Sequence, residues 1–175
     1  MTSHHNMNRA VFLDRDGVIN RMVYDPDTGD LDSPYGPDLF DIYPNAPKAI
    51  KLINELGFLA IVISNQPGVA KGKCTPNTMK LITSKMQRAF ESVSAKIDAI
   101  YYCFHHPGGI VPKLTKICAC RKPEPGMLLE AAKVFSIDLS QSYMIGDTEK
   151  DIVAGSAAGC KTILVSHGLS PNDLK

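Results

Sequence analysis

Two carboxylates, Asp14 and Asp16, stand two residues apart in Asp14-Arg15-Asp16-Gly17, directly after an apolar run. Three further polar groups follow later apolar runs: Ser64-Asn65, Arg121-Lys122, and Gly146-Asp147 with Asp151. A carboxylate can attack phosphorus and form a covalent intermediate, which splits one hard displacement into two; Asp14 is placed for that. An anion approaching an anionic phosphate is repelled, so a divalent cation is needed, and Mg²⁺ takes oxygen ligands while keeping several waters. Asp14, the backbone carbonyl of Asp16, and Asp147 offer three such oxygens. Asp151, one helical turn past Asp147, could hold a metal-bound water or brace Lys122. The leaving alkoxide needs an acid and the attacking water a base. On an extended chain Asp16 falls on the same face as Asp14 and could shuttle that proton, with Gly17 permitting a sharp turn behind it. The Ser64 hydroxyl, the Asn65 donors and the Lys122 ammonium would hold the transferring phosphoryl group. Arg121, with its planar fork, would orient a second anionic or hydroxyl-rich part of the substrate.

Each group has an ordinary reading on its own. Asp-x-Asp-Gly is frequent in surface turns and Ca²⁺ loops, Asp147 could simply open a helix, Ser64 could be an exit residue, and Lys122 before Pro123 could be solvated. Their order, each after an apolar run, favours the joint catalytic reading.

A second cluster has different chemistry. Cys103-x-His105 and Cys118-x-Cys120 place four soft or borderline ligands on two short arms. Four protein ligands fill a tetrahedral Zn²⁺ site, so the expected role is structural. His106 is the alternative fourth ligand, and unligated buried thiols are the ordinary reading. Arg121 and Lys122 follow the last cysteine, so zinc would fix the loop over 103–120 with both cations toward the phosphate.

The elements that must position these residues are legible as an alternation. Arg9 to Leu13 reads as a buried strand, and Pro44 to Gly57 as an amphipathic helix stopped by Gly57. Phe58 to Ile63 is a strand of a covered parallel sheet. Thr75-Pro76 caps a helix to about Val93. Ile97 to Tyr102, Tyr143 to Ile145 and Lys161 to Val165 are strands; Pro125 to Phe135 and Glu149 to Ala158 are helices. The fold class is therefore α/β, a single Rossmann-like doubly wound parallel sheet. Ligands of such sheets bind beyond the carboxyl ends of the strands, where the four polar groups lie. Arg21 to Tyr43, rich in Asp, Gly and Pro, is expected to be a long loop or small flap, and His105 to Ile117 a second loop; neither could form a large cap domain. Residues 1–9 are expected to be a disordered tail and residues 10–175 one domain.

With 44% hydrophobic and 21% charged residues and a formal net charge of +1, composition gives no field favouring nucleic acid or membrane. No apolar run is long enough to span a bilayer, and Met1 to Arg9 has no signal-peptide character. Five cysteines, an odd number, argue against a disulfide framework and for a cytoplasmic setting. Cys74 and Cys160 read as a loop thiol and a core residue, His167 as a surface residue, and His4 and His5 as tail. A monomer is expected.

Val11-Phe-Leu-Asp-Arg-Asp-Gly-Val-Ile-Asn20, Ser64-Asn-Gln66, Lys122-Pro123 and Gly146-Asp-Thr-Glu-Lys-Asp151 resemble, in order, the four motifs of the haloacid dehalogenase (HAD) superfamily. The resemblance covers about Ala10 to Val165. It implies Asp14 as nucleophile, Asp16 as acid/base, Ser64, with Asn65 and Gln66 of its motif, and Lys122 on the phosphate, and Asp14, Asp16 and Asp147 on Mg²⁺. Within the superfamily, Ser64-Asn-Gln-Pro-Gly-Val-Ala-Lys-Gly72, Tyr101-Tyr-Cys-Phe-His-His-Pro107 and Cys118-Ala-Cys-Arg-Lys-Pro-Glu-Pro-Gly-Met127 look like the D-glycero-D-manno-heptose 1,7-bisphosphate 7-phosphatases. That likeness implies a heptose bisphosphate as the small phosphorylated metabolite, a role toward lipopolysaccharide, and zinc on the Cys/His loop. Histidinol-phosphate phosphatases share the core and a similar loop. A polynucleotide 3′-phosphatase would need a basic track, and an inactive zinc-stabilised binding protein would lack one of Asp14, Asp16 and Asp147. The Arg21 to Tyr43 segment departs from the heptose enzymes' short Gly-Tyr-Val segment, with Ser33-Pro-Tyr-Gly36 its nearest echo.

Overall fold

The computed structural model describes residues 7–26 and 28–166. The readings of His4, His5 and His167 lie outside the described residues. Strands β1 (Ala10–Leu13), β4 (Leu59–Asn65), β5 (Ala99–Cys103), β6 (Tyr143–Gly146) and β7 (Lys161–Leu164) form a parallel sheet of order β5-β4-β1-β6-β7. Helices α1 (Ala46–Glu55), α2 (Pro76–Glu91), α3 (Gly126–Phe135) and α4 (Glu149–Ala158) are the crossovers. The expected alternation holds, with ends shifted by a residue or two. Ser64 and Asn65 belong to β4 itself, and Cys103 is the last residue of β5.

Alternation along the strands divides the core. Ala10, Phe12, Ile61 and Ile63 point to one face, where Met127, Leu128 and Ala131 of α3 and Ala154 and Ala158 of α4 cover them. Val11, Leu13, Ala60 and Val62 point to the other, under Met79, Ile82, Met86 and Phe90 of α2 and Ile50 of α1. Side chains of period two on a sheet buried from both sides give continuous apolar strands, and those runs made the sequence legible. Thr75 caps α2 as expected, its side chain accepting from the Thr78 N–H at 3.0 Å.

Asn8 and Arg9, inside the expected tail, are part of the fold. The Asn8 N–H donates to the Ser136 carbonyl, the Asn8 carbonyl accepts from the Asp138 N–H, and the Arg9 guanidinium lies 4.3 Å from the Phe58 ring centre. The Arg21 to Tyr43 segment is the small flap: a hairpin of β2 (Val23–Asp25) and β3 (Asp30–Asp32), then a turn of 3-10 helix, Pro37–Leu39. No cap domain interrupts the sheet among the described residues. No helix there is long and apolar enough to cross a membrane.

Candidate active site

Asp14 follows the last residue of β1, the central strand, and its N–H donates to the Ile145 carbonyl of β6 at 2.9 Å. That bond continues the parallel ladder one residue past the strand and aims the carboxylate at the carboxyl edge. There a cleft of about 160 Å³ is lined by Asp14, Asp16, Ser33, Ser64, Asn65, Arg121, Lys122, Asp147 and Asp151 among others. Asp14 Oδ1 accepts from the Arg15 N–H at 2.7 Å and lies 3.0 Å from Lys122 Nζ. Burial pushes its carboxyl pKa up; Lys122 opposes this, while Asp151 and Asp16 add to it.

Lys122 is buried and spans two carboxylates, 3.0 Å from Asp14 Oδ1 and 2.5 Å from Asp151 Oδ1, while also donating to the Ile63 carbonyl at 2.8 Å. Burial alone would depress its pKa, but Asp14 and Asp151 outweigh that and raise it. Of the two roles open to Asp151, the geometry favours bracing Lys122. Its other oxygen accepts from the Thr148 N–H and hydroxyl, closing a capping box at the start of α4. Gly146 permits this contact, since a Cβ there would meet the Asp151 carboxylate carbon at 2.3 Å.

Asp16 reaches the same cleft, but not on an extended chain. The backbone bends at Arg15 and reverses at Gly17 (φ +81). Gly17 is needed twice over: a side chain would be strained at that φ, and its Cβ would sit 1.9 Å from Asp147 Oδ2. The Asp16 carboxylate accepts five hydrogen bonds, two from Arg15 (2.9 and 3.0 Å) and one each from Asn20 (2.9 Å), Gln66 (2.7 Å) and Ser33 (2.8 Å). Arg15, fully buried, lies between the Phe40 and Tyr102 rings at 5.6 Å from each.

Single carboxylate oxygens of Asp14, Asp147 and Asp151 lie within 4.8 Å of one another. The Asp16 carboxylate is outside that group, consistent with its expected metal ligand being the carbonyl. Asp147 Oδ1 is buried without a hydrogen-bond partner. Burial first, then Asp14 and Asp151, push the Asp147 pKa up to about 6. Three carboxylates faced by one ammonium, with an orphaned oxygen among them, fit a hard divalent cation.

The second cluster assembles as well. Sγ of Cys103, Cys118 and Cys120 lie 3.1–3.6 Å apart, and His105 Nδ1 is 3.7 and 3.3 Å from the sulfurs of Cys103 and Cys120. Ligands of a tetrahedral zinc stand roughly 3.5–3.8 Å apart for ordinary bond lengths, so this donor set fits the ion. His106 is turned away, its Nδ1 accepting from the Gly108 N–H at 3.0 Å. The choice between the two histidines is thus geometric, and His105 is the one in the cluster. The Arg121 guanidinium donates to the His105 carbonyl at 3.3 Å, tying the cluster to the cleft.

Two expected phosphate ligands have other duties. The Asn65 side chain clamps the Lys122 backbone, donating to its carbonyl at 2.9 Å and accepting from its N–H at 3.0 Å. Gln66 is buried away from the cleft lining; it donates to Asp16 and Ser64 and accepts from Arg15. Both position the residues that face the cleft. Sequence reasoning missed Arg15, Asn20 and Ser33. The position of Arg15 between the two motif carboxylates was the available signal for it; Ser33 in a polar flap carried none.

Known proteins resemble this chain in sequence and in fold. A HAD-hydrolase-like family model matches residues 119–175. D-glycero-beta-D-manno-heptose-1,7-bisphosphate 7-phosphatase of Escherichia coli (strain K12) is 38% identical over 162 residues, covering 91% of this chain and 80% of that protein. The D-glycero-alpha-D-manno-heptose-1,7-bisphosphate 7-phosphatase of Photorhabdus laumondii is 37% identical over 169 residues, covering 95% and 88%. The crystal structure of D,D-heptose 1,7-bisphosphate phosphatase from B. bronchiseptica, complexed with magnesium and phosphate, superposes with a TM-score of 0.76 at 32% identity, covering 89% of this chain and 79% of that one.

Proposed function

The chain belongs to the HAD-like hydrolases and is a phosphatase; from that premise we propose that it removes the 7-phosphate of a D-glycero-D-manno-heptose 1,7-bisphosphate through an aspartyl-phosphate on Asp14. One observation carries the chemistry. The Asp14 carboxylate stands at the end of the central strand, 3.0 Å from the Lys122 ammonium, in a group with Asp147, whose Oδ1 is buried without a partner. A nucleophile, a phosphate-binding cation and oxygens for a metal thus share one small cleft.

In this reading Asp14 attacks phosphorus, the bond from phosphorus to the sugar oxygen breaks, and Asp16 gives that oxygen its proton. Asp16 then takes a proton from water as the water oxygen attacks the aspartyl-phosphate. Inorganic phosphate leaves and Asp14 is restored. Lys122 and Ser64 hold the non-bridging oxygens throughout. Asp14, the Asp16 carbonyl and Asp147 would hold Mg²⁺, which when bound neutralises charge between nucleophile and phosphate. Zn²⁺ on Cys103, His105, Cys118 and Cys120 would fix the loop that delivers Arg121 and Lys122. Arg121 would meet the phosphate that is not cleaved. The chain from Asn8 onward would act as one domain, a cytoplasmic monomer.

The test is phosphate release with Mg²⁺ from both anomers of the heptose bisphosphate beside histidinol phosphate. We expect kcat/KM on one heptose anomer to exceed that on histidinol phosphate by orders of magnitude, and Asp14→Asn to lower kcat at least about 10³-fold. Preference for histidinol phosphate would move the substrate assignment and leave the chemistry intact. Full activity of Asp14→Asn would end the reading of the site.

A further inference from the structure

The flap lines the cleft with two side chains, Met22 and Ser33, and Ser33 is the one that hydrogen-bonds to Asp16. Ser33, the first residue after β3, hydrogen-bonds through its hydroxyl to Asp16 Oδ2 at 2.8 Å and lines the cleft. The other four hydrogen bonds to Asp16 come from Arg15, Asn20 and Gln66, which are buried at the strand ends. Ser33 is the one partner supplied from outside that floor.

The flap is tied down at several points. Asp32, next to Ser33, accepts from the Ser33 N–H at 2.8 Å, from the Tyr35 hydroxyl at 2.6 Å and from Lys73 Nζ at 2.7 Å. Lys73, on the loop after β4, also reaches Asp25 on the first strand of the hairpin at 3.3 Å. The Tyr35 ring lies on Gly68, where a Cβ would meet Tyr35 Cε1 at 2.2 Å. At the base of the flap, Lys85 of α2 donates to the carbonyls of Pro37 and Phe40, each at 2.8 Å. Lys73 thus holds the polar hairpin and Lys85 the turn that follows it.

We propose that Ser33 is a positioning residue for proton transfer, and that the Asp32–Lys73 tie is what holds it on Asp16. This rests on Asp16 being the acid/base of the proposed reaction. Without Ser33, Asp16 Oδ2 keeps its buried donors, Arg15 and Gln66, but loses the one donor that comes from the flap and lines the cleft. The step affected is the one in which the O–H bond of Asp16 breaks and its proton passes to the leaving sugar oxygen; Ser33 neither gains nor loses a proton in it.

A leaving group that needs no proton should be indifferent to this contact. The experiment compares a heptose or other sugar phosphate with p-nitrophenyl phosphate, following leaving-group release in the first turnover. We expect Ser33→Ala to slow release from the sugar phosphate about 10- to 100-fold, part of the range typical of general acid catalysis. KM should stay within about threefold and p-nitrophenolate release should change far less. Ser33→Thr, which keeps the hydroxyl, should recover most of the rate. Asp32→Ala should reproduce the defect of Ser33→Ala, and the two together should not add. Equal slowing of both esters, or a wild-type rate on the sugar phosphate in Ser33→Ala, overturns the proposal. An active Asp14→Asn would instead overturn the reading of the site on which it stands.

Discussion

At the scale of single residues, Lys122 bears the largest electrostatic load in the cleft. It is 2% exposed and sits between Asp14 and Asp151, whose side chains are 13% and 0% exposed. Removing one partner of a buried ion pair leaves an uncompensated charge and costs about 3–5 kcal/mol. Lys122→Met leaves two carboxylates without their counter-ion. We expect its Tm to fall by roughly 6–20 °C for a chain of this size, together with phosphate release. Lys122→Met combined with Asp151→Asn should regain part of the stability, because Asn still accepts the Thr148 bonds of the capping box, but none of the activity. Calorimetry and phosphate release separate the two effects; a Lys122→Met protein as stable as wild type would show that the ion pairs carry no net weight. The neighbouring residues explain what could be read in advance. Asp14, Ser64 and Asp147 lie at the ends of strands that their apolar runs announce, whereas Lys122 stands in the irregular segment before α3. Asn65 and Gln66 sit in the same motif, yet nothing local tells that their amides turn to Lys122 and Asp16, partners 57 and 50 residues away.

At the scale of elements, the sheet and its helices were legible because each carries its own signal: an apolar run, a 3.6-residue stripe, or the Thr75-Pro76 cap. The flap was legible only as an irregular segment, not as a hairpin, and the reason is physical. Val23–Asp25 and Asp30–Asp32 are half-exposed to exposed strands with few apolar residues; Lys73 holds this hairpin and Lys85 the turn after it, both far along the chain. The segment between β5 and α3 is a second such element. It has no regular structure, and Ile110 and Ile117 within it are 75% and 87% exposed. Its own turns and the packing of Phe104 and Leu114 on the core hold its middle, and the Cys/His cluster ties its two arms together. Zinc there should therefore stabilise the loop locally. Stripping zinc with a chelator, followed by added Mg²⁺, should raise amide hydrogen exchange across 104–122 while leaving β1 and β4 protected. Activity should fall because Arg121 and Lys122 lose their mooring. Replacing the ion with Co²⁺ should give the visible absorption of a tetrahedral thiolate site, lost in Cys118→Ser. Unchanged exchange in the loop after complete zinc removal would show that the ion does not organise it.

At the scale of the whole molecule, the cleft opposes the fold that builds it. The net charge of +1 imposes no strong overall field, so the penalty is local: Asp14, Asp147 and Asp151 share one edge with a single buried lysine. In the metal-free protein the folded-state pKa of Asp147, pushed up to about 6 by burial and then by Asp14 and Asp151, exceeds its ordinary value of 3.8. Between those values the folded protein binds more protons than the unfolded chain, so stability falls as pH rises through that window, and the penalty is complete above pH 6. Asp147→Asn keeps the shape and removes the charge. Without Mg²⁺ we expect it to melt above wild type at pH 7, with the advantage shrinking as pH falls toward 4 and absent below it. Added Mg²⁺ should reverse the order. At about a hundredfold excess over its dissociation constant a ligand stabilises the folded state by about 2.7 kcal/mol, a gain that wild type should receive and Asp147→Asn should largely forgo. Thermal melts at pH 4, 5, 6 and 7, with and without Mg²⁺, decide the matter. If Asp147→Asn is the less stable protein at pH 7 without metal, the carboxylate is held by attractions inside the fold and is not waiting for a cation. If the order inverts with Mg²⁺ as expected, the cleft is a site whose charges the fold tolerates because the metal cancels them, and Asp147 is the residue through which stability and catalysis are coupled.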